Sequence, residues 1–445
     1  MMDHKTLGEI FQGIYDEFSA MKPTSLDELE DKVLRAMQKL GSYLMDSKVE
    51  DWNTQVSKET CSHCGTKLKH RQKGRQIATW VNDMSYRRDR SYCPECRKAE
   101  YPLDSVLGIR PKQRLSSSVA ELSALCGASW KYDECQYLMK KILRRQCVSH
   151  ETVFNKTTQI GQAASAEFEG NRIKALEGDK RQQGEYFDDM ETWDEQRKLP
   201  KRIYMDMDGV MINSRDNSKR MEGKVAVVWS KRELVKKDTH SLADKRFMGS
   251  FCDPERFYWD IVAELYRRSG GKLDQVESYV RGDGAPFIRG FRDKYAFLSR
   301  YILDYYHLCR KVRDRLSGVY DKEKRREEVG EAIMEYLHSG DVDGALTYLQ
   351  KLIGRFRNRN RQYHLKKLAG YIERNRNGIW YDEAQKLGIS IGAGSADKAG
   401  DILICRRMKL RGMRWSRKGA DAVLSIRILI HNREWDDFWK RYKAA

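Results

Sequence analysis

The chain has no apolar run approaching the ~20 residues that a bilayer-spanning helix needs. Its start, Met1-Met2-Asp3-His4-Lys5, lacks the charged-then-apolar layout of a secretory signal. A cytosolic protein is therefore expected, with ten cysteines that serve as thiols or metal ligands rather than disulfides. There is no internal repeat and no low-complexity segment. Acidic residues are in deficit, with 65 Asp and Glu against 84 Lys and Arg, for a formal charge of +19. That excess points to a polyanionic partner, nucleic acid before an anionic membrane surface. The 23 Tyr and 10 Trp exclude a disordered chain, and 445 residues imply two to four domains.

What is present begins with helices over residues 1–55. Leu7, Ile10, Phe11, Ile14, Tyr15 and Phe18 recur at helical spacing, and Leu26, Leu29, Val33, Met37 and Leu40 continue a looser stripe. Two amphipathic helices are expected there, packed on the body or on a second subunit. Residues 56–110 hold two C-x2-C knuckles, Cys61/Cys64 and Cys93/Cys96, flanking the strand-like stretch Gln76 to Tyr86. Four thiolates at this spacing can close a tetrahedral site, so a zinc ribbon with structural Zn²⁺ is expected. His63 and His70 are not expected to be ligands, and the other six cysteines read as small buried hydrophobes.

Residues 111–183 read as three helices. The first opens on a capping-box pattern at Ser118-Val119-Ala120-Glu121, the second spans roughly 132–145, and the third starts after Ser149. Either a helix-turn-helix or a plain three-helix unit fits. The acidic stretch within 184–200 predicts a linker. Beyond it lie strand patterns at Ile203–Ile212, Lys224–Trp229, Lys245–Cys252, Val276–Val280 and Tyr301–Tyr305, with a helix at Pro254–Arg268. Residues 309–388 are helical and basic, and another helix is expected from Asp397 to Arg411.

Carboxylates mark the strand ends. Asp206 and Asp208 share one face of the first strand because side chains alternate, and Asp283 follows the fourth. Converging acids suit a two-Mg²⁺ site for phosphodiester chemistry, although solvated strand-end acids would give the same sequence. Asp-x-Asp-Gly is also similar to the haloacid-dehalogenase phosphatases, with Asp206 as nucleophile and Asp208 as general acid. Phe287, where that pattern usually has a second Asp, the cysteine knuckles and the positive charge count against it.

Several motifs recur together in one family: Pro102-Leu103-Asp104 with Leu107-Gly108, Asp208-Gly209, Gly282-Asp283-Gly284-Ala285, Leu303-Asp304-Tyr305-Tyr306-His307, Gly392 to Asp397, and Arg406 to Ser416. Over residues 55–440 the chain resembles bacterial insertion-sequence transposases of the DDE class, in the Mutator-related branch with an N-terminal zinc ribbon. The resemblance implies an α/β, RNase H-like mixed sheet over 201–308, a large helical insertion over 309–388, and the rest of the catalytic domain with a basic tail over 389–445. It implies catalytic, metal-holding acids at Asp208, Asp283 and Asp397, the last standing where the family normally has Glu, with Asp401 a fallback. Accessory roles fall to Asp304 and His307. Two Mg²⁺ (or Mn²⁺) ions, double-stranded DNA as element ends and target, a homodimer or larger synaptic assembly, and a bacterial nucleoid location are also implied. From Arg406 onward, 12 Lys and Arg face 4 Asp and Glu. Arg406, Arg407, Lys409, Arg411, Arg414 and Trp415 are the expected DNA contacts there, and Trp415 and Trp380 are candidates for base stacking or for plain core.

Overall fold

A computed structural model describes residues 7–181, 199–216, 220–236 and 239–444. The chain divides into two compact units, Met1–Lys156 and Thr157–Ala445. The division falls inside one long helix rather than at the acidic stretch, and residues 184–198 of the expected linker lie outside the described residues.

The first unit opens with helices α1 (Leu7–Ser19) and α2 (Leu26–Gln55). A three-stranded antiparallel sheet follows, β1 (Lys69–Ala78), β2 (Asp83–Cys93) and β3 (Lys98–Glu100), in that spatial order. Helix α3 (Pro102–Val106) seats Asp104 on Arg88 in a buried ion pair. Helices α4 (Ser117–Ser129), α5 (Tyr132–Ile142) and α6 (His150–Arg181) complete the predicted trio, with α6 running into the second unit. The cap of α4 is Ser116, whose Oγ accepts the Val119 N–H at 3.4 Å, not Ser118. Leu115 still pairs with Ala78 in extended conformation, so the chain turns helical immediately after it.

The second unit is built on a five-stranded sheet. Its strands are β4 (Arg202–Asn213), β5 (Arg220–Trp229), β8 (Arg246–Ser250), β9 (Glu277–Gly282) and β10 (Arg300–Leu303). A small hairpin, β6 (Arg232–Lys236) and β7 (Thr239–Leu242), comes between β5 and β8 in the chain. The spatial order is β10-β9-β4-β5-β8. β5 runs antiparallel to both of its neighbours, β4 and β8, while β9 and β10 run parallel to β4. The sequence missed β6 and β7 because Arg232-Glu233-Leu234-Val235-Lys236 is short and charged and shows no clear alternation. Helix α7 (Pro254–Ser269) starts with Pro after an Asp253 cap and stops at Gly270 in the left-handed region, both standard helix punctuation. Helix α8 (Pro286–Lys294) lies between β9 and β10.

The insertion is helical as predicted: α9 (Tyr305–Ser317), α10 (Glu323–His338), α11 (Val342–Arg355), α12 (Arg359–Arg374) and α13 (Tyr381–Lys386). Their buried stripes, such as Leu308, Val312 and Leu316 on α9 and Leu365, Leu368 and Ile372 on α12, join the same core as the sheet. Helix α14 (Gly394–Gly400) then returns to the sheet and passes through a π-helical turn, Asp401–Cys405, into α15 (Arg406–Met408). Helices α16 (Arg417–His431) and α17 (Trp435–Ala444) close the chain. Among the described residues no helix is long and apolar enough to cross a membrane.

Candidate active site and metal centre

The four cysteines of the first unit meet. Their Sγ atoms all lie within 4.8 Å of one another, with Cys64 3.4 Å from Cys93 and Cys61 3.9 Å from Cys96. Two tight turns present them. One bends at Gly65, whose N–H reaches the Cys61 carbonyl at 2.9 Å, and the other follows Cys93 at the end of β2. Four sulfurs at this separation can hold a tetrahedral ion such as zinc. His63 and His70 are not part of the set, and His70 instead meets Asp89 at 2.6 Å.

The second unit gathers the acids. Asp208 leaves β4 two residues after Asp206, and the parallel register pairs Asp206 with Arg281 and Met207 with Gly282. Asp283, next after Gly282, therefore emerges beside Asp208. Gly284 takes φ +78°, and a Cβ there would stand 2.4 Å from Asn375 Oδ1, so only glycine turns this corner. Asn375 and Tyr371, both from the insertion, brace the loop, and the Tyr371 hydroxyl donates to the Asp283 carbonyl at 2.7 Å. Helix α14 reaches the sheet through Gly400, where a Cβ would stand 2.7 Å from Val210 and 3.7 Å from Asp208 Oδ2. That approach brings Asp397 to the same place.

Electrostatics tie the group together. Burial pushes the Asp208 carboxyl up to about 6; the neighbouring charges of Asp283 and Asp397 add to this, against the Gly209 N–H and His307. Buried Asp304 caps α9, accepting the His307 N–H at 2.7 Å, and also accepts the Ala393 N–H just before α14. Although burial opposes it, these hydrogen bonds hold the Asp304 carboxyl below its ordinary range. The His307 ring lies 3.3 Å from Asp304 and 3.7 Å from Asp397, and the Asp304 hydrogen bond raises its pKa. Asp208, Asp283, Asp397, Asp304 and His307 are thus brought together. The three leading acids are more widely spread than the thiols, which are the only described His, Cys, Asp or Glu set with every donor atom within 4.8 Å. Asp401 faces away from this role, paired with Arg406 at 2.8 Å.

A buried layer beside the acids was not legible as such in the sequence. Arg281 is 1% exposed and donates to Asp206 from Nε at 2.6 Å. Its guanidinium also lies over the rings of Tyr204 and Trp229. Asp206 further accepts Trp229 Nε1–H at 2.9 Å and the Ser395 hydroxyl. Asp206 is thus committed to a core ion pair, which leaves it poorly suited to act as a nucleophile.

The C-terminal block divides in two. Arg406, Lys409, Arg411 and Arg414 are exposed. Arg407 and Trp415 are not surface groups, which corrects the expectation that they contact DNA. Arg407 is fully buried with its guanidinium 4.9 Å from the Trp415 ring centre, and Trp415 donates Nε1–H to the Met408 carbonyl at 3.1 Å. The backbone of Trp415 also bonds to Asn213 and Arg215 at the end of β4, so the ring is drawn into the core. Trp380 is likewise core, bonded through Nε1 to the Tyr301 carbonyl at 2.7 Å.

Residues 20–437 match the uncharacterised protein family UPF0236. A relative described as "UPF0236 protein in vanSb 3'region", from Streptococcus gallolyticus, is 20% identical over 371 residues, covering 82% of this chain and 74% of its own length. The match takes in the cysteine cluster, the sheet, the insertion and α14, so nearly every feature described above lies within it. The chain belongs to the uncharacterised protein family UPF0236.

Proposed function

We propose that the protein is a DNA transposase of the DDE class, with an RNase H-like catalytic domain that cuts element ends and joins the freed 3′ strand to target DNA. One observation carries the reading. Asp208, Asp283 and Asp397 come from β4, the end of β9 and the first helix after a helical insertion, and they share one electrostatic environment. The sheet supports it, because β5 antiparallel between β4 and β8, with β9 and β10 parallel to β4, makes the mixed sheet that the resemblance implies. The donor set fits a hard divalent cation: three carboxylates, one with its pKa raised toward 6, and a single histidine beside them. Asp208, Asp283 and Asp397 would hold Mg²⁺ or Mn²⁺, which when bound supplies Lewis-acid polarisation of the phosphodiester and activates water.

The chain's own groups do the positioning. Asp304 fixes His307 at the start of α9, and His307 steadies Asp397. Arg406, Lys409, Arg411 and Arg414 offer exposed cations for phosphates, so binding should weaken steeply with salt. The zinc ribbon and helices α4–α6 are assigned to the terminal inverted repeats. A synaptic dimer or larger assembly, in the bacterial cytoplasm on the nucleoid, goes with this reading.

A second reading is a transposase-derived DNA-binding protein that no longer cuts. Asp397 favours it: the side chain is one carbon shorter than the Glu usual in the DDE transposases that the sequence resembles, and 47% exposed. Cleavage of the DNA flanking the gene, with Asp208→Ala and Asp397→Glu alongside the native protein, separates the two. Cutting abolished by Asp208→Ala supports the first. Specific binding with cutting restored only by Asp397→Glu supports the second.

A further inference from the structure

Helix α2 is attached to its unit by the wrong face for a core helix. The side turned to the body is mostly polar or small, with Met45 and Val49 the apolar residues that meet the sheet. Gln38 donates to the Leu143 carbonyl at 3.4 Å, Ser42 accepts from Asn82 at 2.7 Å, and Asn53 donates to the Arg87 carbonyl at 3.1 Å. Gly41 lies so close that a Cβ would stand 3.0 Å from Val81, and Val49 is the one buried residue of the helix. The apolar stripe points elsewhere. Leu26, Leu29, Val33, Met37, Leu40 and Leu44 fall at i, i+3, i+7, i+11, i+14 and i+18. At 100° per residue this stripe lies roughly 150° around the helix from the attached face.

Helix α1 extends the same apolar character. It buries no residue at all, and Leu7, Phe11 and Tyr15 are exposed. Counting these with Leu26, Leu29, Val33, Met37 and Leu44, the large apolar side chains are between 38% and 75% exposed. Ile10, Ile14 and Phe18 are half-buried, but no residue of this 13-residue helix is fully covered, and so short a helix is marginal by itself. Helix α1 therefore needs a cover.

Charge narrows what that cover is. Residues 1–55 carry eleven Asp and Glu against six Lys and Arg, a net of −5 in a chain of +19. Nucleic acid and an anionic bilayer are both repelled by such a segment. Two copies of this segment also repel each other, but the centre of the face carries no charge, so they can meet across a two-fold axis without burying an unpaired ion, and the repulsion stays at the solvated, screened rim. Its size also suits a dimer. At on the order of 200 Å² for a large side chain, the exposed fractions sum to roughly 800–900 Å², which matches the ~800 Å² per partner of a stable interface.

We infer that the α1–α2 face is the dimer interface of this protein, each copy burying its Leu–Phe–Met stripe against that of a second. The inference stands apart from the proposed catalysis, since it rests on neither the acids nor DNA.

The test is the mass of the full chain in solution, by light scattering behind size exclusion, at tens of micromolar protein and without DNA. Twice 52.2 kDa is expected for the native protein. Phe11→Asp with Met37→Asp should give a monomer, with a dissociation constant at least 100-fold higher. Both side chains are exposed in the single chain, so the monomeric variant should still unfold in a cooperative transition, at a temperature lowered only by the loss of association. A native protein that is monomeric at this concentration overturns the inference, whether it instead binds anionic vesicles or nothing. So does a double variant that remains dimeric.

Discussion

Arg281 and Asp206 form an ion pair with each side chain only 1% exposed, and each stands two residues before an acid of the candidate site, Asp283 and Asp208 respectively. Along a strand, residues two apart point to one face. The pair therefore fixes the register and the spacing of the two strands from which those acids emerge. Asp206 also accepts from Ser395, which stands two residues before Asp397. One buried carboxylate is thus linked to all three acid-bearing segments.

Arg281→Met leaves Asp206 buried without its cation. The expected loss of stability is about 3–5 kcal/mol, the cost of breaking one side of a buried pair. Urea unfolding measures it. A loss below about 1 kcal/mol would mean that the pair does not hold β4 and β9 together.

Ser395→Ala cuts only the link to α14, because the Arg281 and Trp229 contacts of Asp206 remain. We expect a loss of about 1–3 kcal/mol, as for a hydrogen bond to a charged group. Deuterium uptake should increase over 394–400 while β4 stays protected. Unchanged exchange in α14 would show that Gly400 and the π-helical turn hold the helix without the serine.

Asp208 should make stability pH-dependent. Its folded pKa, about 6, lies above the ordinary 3.8. The folded state therefore binds this proton more tightly than the unfolded chain does. The resulting stability is fully present below pH 3.8 and is lost as pH rises through 6. At pH 7.5 in EDTA, Asp208→Asn should be more stable than the native protein by about 1–2 kcal/mol. Adding Mg²⁺ should raise the melting temperature of the native protein and leave the variant unmoved. Equal responses of both to Mg²⁺ would place the ion elsewhere.

The cysteine cluster should bind one zinc ion per chain by elemental analysis. Cys93→Ser should lose it and destabilise the first unit, because Cys93 is the buried member at the end of β2. Limited proteolysis should then cut within residues 56–110 while the 201–444 region persists. Full zinc content in the variant would exclude a four-thiolate site.

Much of this was legible because it lies in local patterns. The knuckle spacing, the five sheet strands and the insertion helices follow from C-x2-C, alternation and 3.6-residue periodicity. Asp208 and Asp283 are visible as acids at strand ends. The buried layer was not, since Arg281 and Asp206 are 75 positions apart and look like any strand-borne charges until the parallel register pairs them. The same holds for Arg407 and Trp415, which sit in a basic run yet turn inward because Trp415 pairs with the end of β4. A charge count cannot separate them from Arg406 and Lys409. The misplaced cap at Ser118 arose similarly, from the long-range pairing of Ala78 with Leu115.

The most direct measurement is Mg²⁺-dependent cleavage of the DNA flanking this gene by the native protein, Asp208→Ala and Asp283→Ala. We expect cutting by the native protein and at least a 100-fold loss in each variant, with Asp397→Glu as fast or faster than native. Cutting by Asp208→Ala and Asp283→Ala at the native rate would contradict the carboxylate site.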